Sequence, residues 1–418
     1  MTATPARDRP LRTPDFRRYF AARTVSLLGD RMLPVALTVG VLQGGYGTIG
    51  LGYVFAAWSA PIAVFVVAGG VIADRFTARR TMVVADLVRL VAQAVLAIGF
   101  AVGTPPLWQI LCLEAVAGSA TAIFQPGLAS VLPEIVRDVQ RANACLRIAE
   151  ALLTMLGPAL AGVLVALSGT GTVFAVDAAT YAVSAVLLLS LRLPVDPVAG
   201  RDHPMWRNLV DGWHEFASRT WLWAVIAIWS VYGLTVFGPV VPLGGSVIVA
   251  EHGSTGYGLV NSAYGTGAVF GGLVGLRLRP ARPLAAGAFA MLAYAGYPLV
   301  VALRLSVPVI AAGFLLAGAG FAFWSVMWST TVQTRIPGAL LNRVSAYDVA
   351  VPAVVMPIGQ TLAGPVAQVA GARHVLIAAT FVAAASSAGM LALPAVRGLR
   401  RVPEPTTPLD NVPELIQS

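Results

Sequence analysis

Arg23, Asp30 and Arg31 stand inside one long apolar stretch, and Glu114 and Gln125 inside another, in a chain of 418 residues that is 57% hydrophobic and only 11% charged. An ionisable group at the centre of a membrane-crossing helix costs about 2.5 kcal/mol or more, so it is expected to face a wet cavity or a partner. The chemistry open to these residues is ion pairing and proton transfer. Arg23, Leu27, Asp30, Arg31 and Pro34 recur at spacings of one, three and four, which places them on one helical stripe, and Glu114, Gly118, Thr121 and Gln125 form another. A carboxylate that is dry when a cavity is empty and paired when it is filled takes up and releases a proton as its surroundings change. Asp30 and Glu114 are therefore the candidate proton carriers, with a purely structural salt bridge to Arg31 or Arg23 as the competing role. Asp86 with Arg89, and Arg147 with Glu150, each three apart, read as structural pairs towards the arginine-rich side. Asp177 is ambiguous, and Asp348 is placed to support a gate in the second half of the chain.

The second half is nearly free of deep charge and offers aromatic rings instead. Tyr232 falls on a seventh apolar stretch, which Pro239 and Pro242 are expected to bend, and Phe323, Trp324 and Trp328 fall on a tenth. A charged wall facing an aromatic wall suits an amphipathic solute. Arg23, Arg31, Gln125, Tyr232, Phe323 and Trp324 are the candidate cavity residues, whereas Trp328 fits equally well in an interfacial aromatic belt.

The elements that must position these residues are apolar stretches of roughly 20 residues, each enough to cross the hydrocarbon as a helix. They predict an all-α membrane protein of twelve transmembrane helices, the first over Phe16 to Gly44, the seventh and eighth over Thr220 to Val249 and Gly256 to Leu276, and the last over Arg373 to Pro394. All 28 basic residues are Arg, and they crowd into alternate loops. That alternation implies an even number of spans in a cytoplasmic membrane with both termini inside. The same scatter excludes a nucleic-acid stripe despite the net charge of +9. A chain without Lys has no phosphate-binding loop of the Gly-x-x-x-x-Gly-Lys type. Two cysteines and four histidines, in apolar helices and loops respectively, suggest neither disulfide framework, metal site nor cofactor.

Shifting the chain by 202 positions superposes Gly69-Gly70 on Gly271-Gly272, Arg75 and Arg80 on Arg277 and Arg282, Arg141 on Arg343, and Gly157 and Gly162 on Gly359 and Gly364. Two six-helix bundles follow, residues 1–192 and 220–396. Between them residues 193–219 form a linker in which Trp206, Leu209, Val210, Trp213 and Phe216 trace an amphipathic surface helix, and the proline-rich tail, 397–418, reads as disordered. Parallel repeats of this kind belong to transporters that rock two bundles about a midplane site.

Several motifs carry a resemblance. Gly70-Val71-Ile72-Ala73-Asp74-Arg75-Phe76-Thr77-Ala78-Arg79-Arg80 resembles the loop between helices two and three of the major facilitator superfamily, departing from it at Thr77 and Ala78. The resemblance implies the major facilitator fold and a gating latch of Gly70, Asp74, Arg75, Arg79, Arg80 and Arg141. In the second half Leu276 replaces the Asp, so the gate is expected to be asymmetric. Gly157-Pro158-Ala159-Leu160-Ala161-Gly162 looks like the antiporter motif of drug-efflux members, with ordinary kinked-helix packing as its plain alternative. Phe16, Arg17, Ser26, Leu27, Leu28, Gly29 and Asp30, then Gln125-Pro126, Leu132-Pro133-Glu134 and Arg141-Ala142-Asn143-Ala144, resemble the enterobactin-exporter and macrolide-efflux branch. The implied activity is export of a small amphipathic molecule, with protons and membrane lipid as the other partners and a monomer as the working unit. An importer or lysophospholipid flippase of the same fold, and a non-transporting receptor, are the alternatives.

Overall fold

Backbone amides that leave water for hydrocarbon must be satisfied within their own segment, which makes a helix the only form open to the apolar stretches of this chain. In the computed structural model, which describes residues 13–75, 78–136, 139–191, 218–336 and 338–401, every one of them is helical. The first half comprises α1 (Pro14–Gln43), α2 (Gly47–Arg75), α3 (Ala78–Val102), α4 (Leu107–Ile135), α5 (Val139–Ser168) and α6 (Thr170–Leu189). In the second half, Thr220–Tyr232, a π-helical turn Gly233–Phe237 and the first arm of Gly238–Arg277 make α7, and the second arm of that last segment is α8. Pro283–Ala290 and Leu292–Ala302 make α9, followed by α10 (Val307–Arg335), α11 (Gly338–Ala370), α12 (Ala372–Ala392) and a last turn, Pro394–Arg397. Among the described residues ten stretches are long and apolar enough to cross a membrane, one of which, Thr220–Arg277, is the pair α7 and α8, while α11 contributes the shorter apolar stretch Val354–Ala370. The expected linker helix, and the tail beyond residue 401, fall outside the described residues.

Two details depart from the sequence expectation. A loop was expected between Val249 and Gly256, but helical geometry runs on to a single break at Gly253, with φ 68° and ψ −175°. Only glycine enters that region at little cost. Just before the break, Glu251 pairs with Arg304 at 3.1 Å and the His252 ring contacts the carbonyl of Leu305 at 3.1 Å, tying the corner to the turn that leads into α10. The second departure is the π-helical turn. A proline ring in a helix collides with the carbonyl four residues earlier, which for Pro239 is Thr235, inside Gly233–Phe237. The wider turn accommodates the ring, so α7 continues through Pro239 and Pro242 rather than ending there.

The repeat is visible in the backbone. α6 is preceded by Gly169 at φ 81° and α12 by Gly371 at φ 83°, positions that differ by the offset of 202 (371 − 169). The crossings between halves follow the same rule. α5 packs on α8 where Gly162 meets the Ser254 carbonyl, and α2 packs on α11 where Gly52 meets the Gln360 carbonyl and Gly364 meets Ile49. Absence of a side chain lets the backbones touch, which is how helices gain contact where water supplies no driving force. Ser59 of α2 donates to Gln360 Oε1 at 2.6 Å, a buried hydrogen bond joining the halves. These contacts lie between mid-bundle and the end remote from the chain termini. A methyl group at Gly258 of α8 would collide with the Pro158 carbonyl. Accordingly, Gly258→Val is expected to loosen this end. A cysteine at Ser254, protected in the parent, should then react with a membrane-impermeant maleimide, and continued protection would show that the α5–α8 contact does not hold this end shut.

Candidate functional site

On α3, Asp86, Arg89 and Gln93 form a polar stripe at steps of three and four; on α6, Ser184, Tyr181 and Asp177 step back by the same amounts. The two helices run antiparallel, so the stripes zip together turn by turn. Ser184 donates to Asp86 at 2.6 Å, and the Arg89 guanidinium lies 4.3 Å from the Tyr181 ring centroid. Arg89, 1% exposed, also hydrogen-bonds Asp86 and stacks 4.6 Å from the Phe124 ring of α4. Sandwiching between rings compensates a buried guanidinium for lost water.

Asp30 of α1 completes this layer. It accepts a 2.6 Å hydrogen bond from the Tyr181 hydroxyl and stands 3.8 Å from Arg89, with 28% of its side chain exposed. It is the member of the cluster with access to the outside. One turn further, Asp177, Glu114 and Gln93 are fully buried, with Gln93 Nε2 reaching Glu114 at 3.5 Å. Gly29 lies against Asp177, where any side chain would occupy the place of its carboxylate. The fully buried part of the cluster therefore holds three carboxyls, Asp86, Glu114 and Asp177, against one guanidinium, Arg89.

The other expected residues divide. Arg31 does not face Glu114; it turns to α5 and pairs with Glu150 at 3.1 Å, beside Gly157, and Glu150 also holds Arg147 at 3.1 Å. Arg23 lies 5.9 Å from the Phe124 ring, and Gln125, the next residue, is exposed. Gly157, Pro158 and Gly162 lie where α5 meets Arg31 and α8. Arg79 donates to the Leu191 carbonyl at 2.7 Å, fastening the start of α3 to the end of α6, while Arg80 and Arg141 are exposed at the same end of the bundle. Gly70, Asp74 and Arg75 occupy the last turns of α2, with side chains outside the described set, as is that of Asp348.

In the second half the aromatic residues gather, but not on the expected surface. Trp229 is the hub, with ring centroids 5.3 Å from Tyr232, 5.6 Å from Phe237, 6.0 Å from Phe321 and 5.8 Å from Trp324. Tyr232 and Trp324 form its buried back, at 1% and 2% exposure, and Trp328 stacks on Trp324. The half-buried front consists of Trp229, Phe237 and Phe321. Phe323 is elsewhere, lining an apolar crevice of about 470 Å³ between α8, α9 and α10 with Phe270 and Phe289.

Sequence reasoning missed Gln93, Tyr181, Ser184, Trp229, Phe237 and Phe321. The polar steps along α3 and α6 were a usable signal, because stripes of three polar residues on otherwise apolar helices seek each other. For the rings no such signal existed, since α10 is apolar on all sides.

The sequence pattern of the Major Facilitator Superfamily matches residues 19–347. Among curated proteins, the chain is 25% identical over 357 residues to the enterobactin exporter EntS of Citrobacter koseri, covering 84% of this chain and 85% of the relative. It is 22% identical over 377 residues to macrolide efflux protein A of Streptococcus pyogenes, covering 86% and 91%. Among solved structures, the nucleoside transporter NupG superposes with a TM-score of 0.69 at 12% identity, over 89% of this chain and 98% of that one. A bacterial homologue of the human lysosomal transporter Spinster gives 0.68 at 13%, over 94% and 99%. With the family pattern covering most of the helical core and the twelve-helix fold shared with solved transporters, the chain belongs to the Major Facilitator Superfamily, a family of transporters rather than enzymes.

Proposed function

We propose that this protein exports a small amphipathic or hydrophobic molecule from the cytoplasm in exchange for protons, by alternating access of its two halves. The observation that carries the reading is the division of labour between halves. The first concentrates carboxylates around Arg89 with Asp30 reaching outward, and the second presents Trp229, Phe237 and Phe321. Proton handling and cargo contact thus sit on opposite bodies, so that moving one body against the other changes both environments together. Export and an amphipathic cargo are supported by the relatives, one an enterobactin exporter and another a macrolide efflux protein. The arginine alternation places both termini, and the arginine-rich loops, on the cytoplasmic side of the cell membrane. In that orientation the helix contacts between halves close the outer end. The gating residues Gly70, Asp74, Arg75, Arg79, Arg80 and Arg141 lie at the inner end, the working unit is a monomer, and lipid is its surrounding solvent.

Expression in a host stripped of its own pumps tests the direction. Cells should accumulate less erythromycin, enterobactin or ethidium than cells carrying an empty vector, and collapsing the proton gradient should abolish the difference. Equal or greater accumulation of all three would contradict export of this class of cargo.

A further inference from the structure

Resting on the proton-exchange reading, and narrowing it, one layer of the first half is built unlike its neighbour. In the lower layer each carboxylate has donors: Asp86 receives Arg89 and Ser184, and Asp30 receives Tyr181 and stands by Arg89. In the upper layer donors are short. Asp177 Oδ2, Glu114 Oε2 and Gln93 Oε1 are all buried without a hydrogen-bond partner, on residues that are 0% exposed. The matched steps of α3 and α6, which pair Asp86 with Ser184 and Arg89 with Tyr181, bring Gln93 opposite Asp177, and the Gln93 amide reaches Glu114. Asp177 interacts electrostatically with Glu114, Asp30 and Arg89.

We infer that Asp177 and Glu114, bridged by Gln93, hold one exchangeable proton in the interior of the first half, behind Asp30. An ionised carboxylate only accepts hydrogen bonds, whereas a protonated one donates. Three orphaned acceptors in one place therefore lack a donor, and one proton supplies it while also removing a charge in excess of the single guanidinium, Arg89, which is hydrogen-bonded to Asp86. The ionisable groups facing the site are Asp30 from α1, Asp86 and Arg89 from α3, Glu114 from α4, and Tyr181 beside Asp177 on α6. On α5, Glu150 is engaged with Arg31 and Arg147 instead. The exchange is a simple transfer: an O–H bond breaks on the Asp177–Glu114 pair and forms on the Asp30 carboxylate, which passes the proton to water on its exposed side. Asp30 thus acts as the port and the buried pair as the store.

Difference infrared spectra of the full-length protein in lipid, recorded between acid and alkaline pH in choline buffer, read protonated carboxyls through their C=O stretch. In the parent a C=O band present at neutral pH should be lost on alkalinisation. Asp177→Asn and Glu114→Gln should each remove that same band, since the proton belongs to the pair, and Gln93→Met, which keeps both carboxyls, should shift its frequency. If Asp177→Asn does not give a monodisperse protein, the Gln93→Met shift decides. A band untouched by all of these variants would overturn the inference, as would loss of the band when sodium replaces choline, because that marks a metal-cation site. Since no transport is measured, the two readings fail separately. Gradient-insensitive export with a sensitive band contradicts proton antiport alone, and coupled export with an indifferent band contradicts the store alone.

Discussion

Arg89→Leu should yield a protein that barely assembles, with a melting temperature in detergent far below that of the parent. Among the described residues Arg89 is the one cation buried to 1% exposure among the carboxyls of the first half, and its removal leaves Asp86 at 0% exposure without its charge partner. Breaking a buried ion pair from one side costs about 3–5 kcal/mol, because the remaining charge stays in a dry place. Arg89→Lys separates charge from shape. It keeps the cation but gives up the flat stacking between Phe124 and Tyr181, at 4.6 and 4.3 Å, and the fork that spans Asp86 and Asp30. It should therefore fall between parent and Leu variant. A second change shows whether the carboxylate is the cause: Arg89→Leu combined with Asp86→Leu should recover part of the lost melting temperature. Thermal unfolding followed by intrinsic fluorescence measures all three, and an Arg89→Leu protein as stable as the parent would mean that the cluster is not held together by charge.

Trp229→Ala is expected to have the largest effect on cargo. Trp229 touches four other rings and is the hub of the half-buried front, so its truncation removes both a contact surface and the support of Phe237 and Phe321. Central aromatic anchors of binding surfaces typically cost about 2 kcal/mol or more when cut to alanine, roughly thirtyfold in Kd. Trp229→Phe should retain most of the affinity. Phe323→Ala should leave it unchanged, because Phe323 lines the crevice between α8, α9 and α10. Fluorescence titration of ethidium against the purified protein distinguishes these outcomes. Equal weakening by Trp229→Ala and Phe323→Ala would show that the aromatic front does not select the cargo.

The contrast between Trp229 and Phe323 also shows what a single sequence can express. Hydropathy, arginine alternation and the offset of 202 carry the fold, because each reflects a constraint that acts along the chain: helix length against bilayer thickness, charge against topology, and duplication. The paired glycines at 169 and 371, both with positive φ, are the same information in backbone form. Rotation of a helix about its axis is another matter. α10 is apolar all round, so no polar face declares which side turns inward, and Phe323, Trp324 and Phe321 read alike until packing against α8 and α9 places them. The charged residues were recognisable as costly, but their partners lie far away in sequence. Arg31 finds Glu150, 119 positions on, and Asp30 finds Tyr181, 151 positions on. Asp177 stayed ambiguous for a related reason, since its place is made by Gly29, whose missing side chain says nothing until α1 and α6 are in contact.

In proton exchange, cargo and protons move in opposite directions through one protein. The most direct measurement traps a pH-sensitive dye inside proteoliposomes that hold the purified transporter, imposes an ethidium gradient with no initial pH difference, and records the internal pH as ethidium moves. Protons should flow against the dye cation, and Asp30→Asn or Glu114→Gln should leave ethidium movement without that proton flow. Ethidium crossing at parental rates with no change in internal pH would contradict proton exchange, and an unaltered proton flow in both variants would remove Asp30 and Glu114 from it.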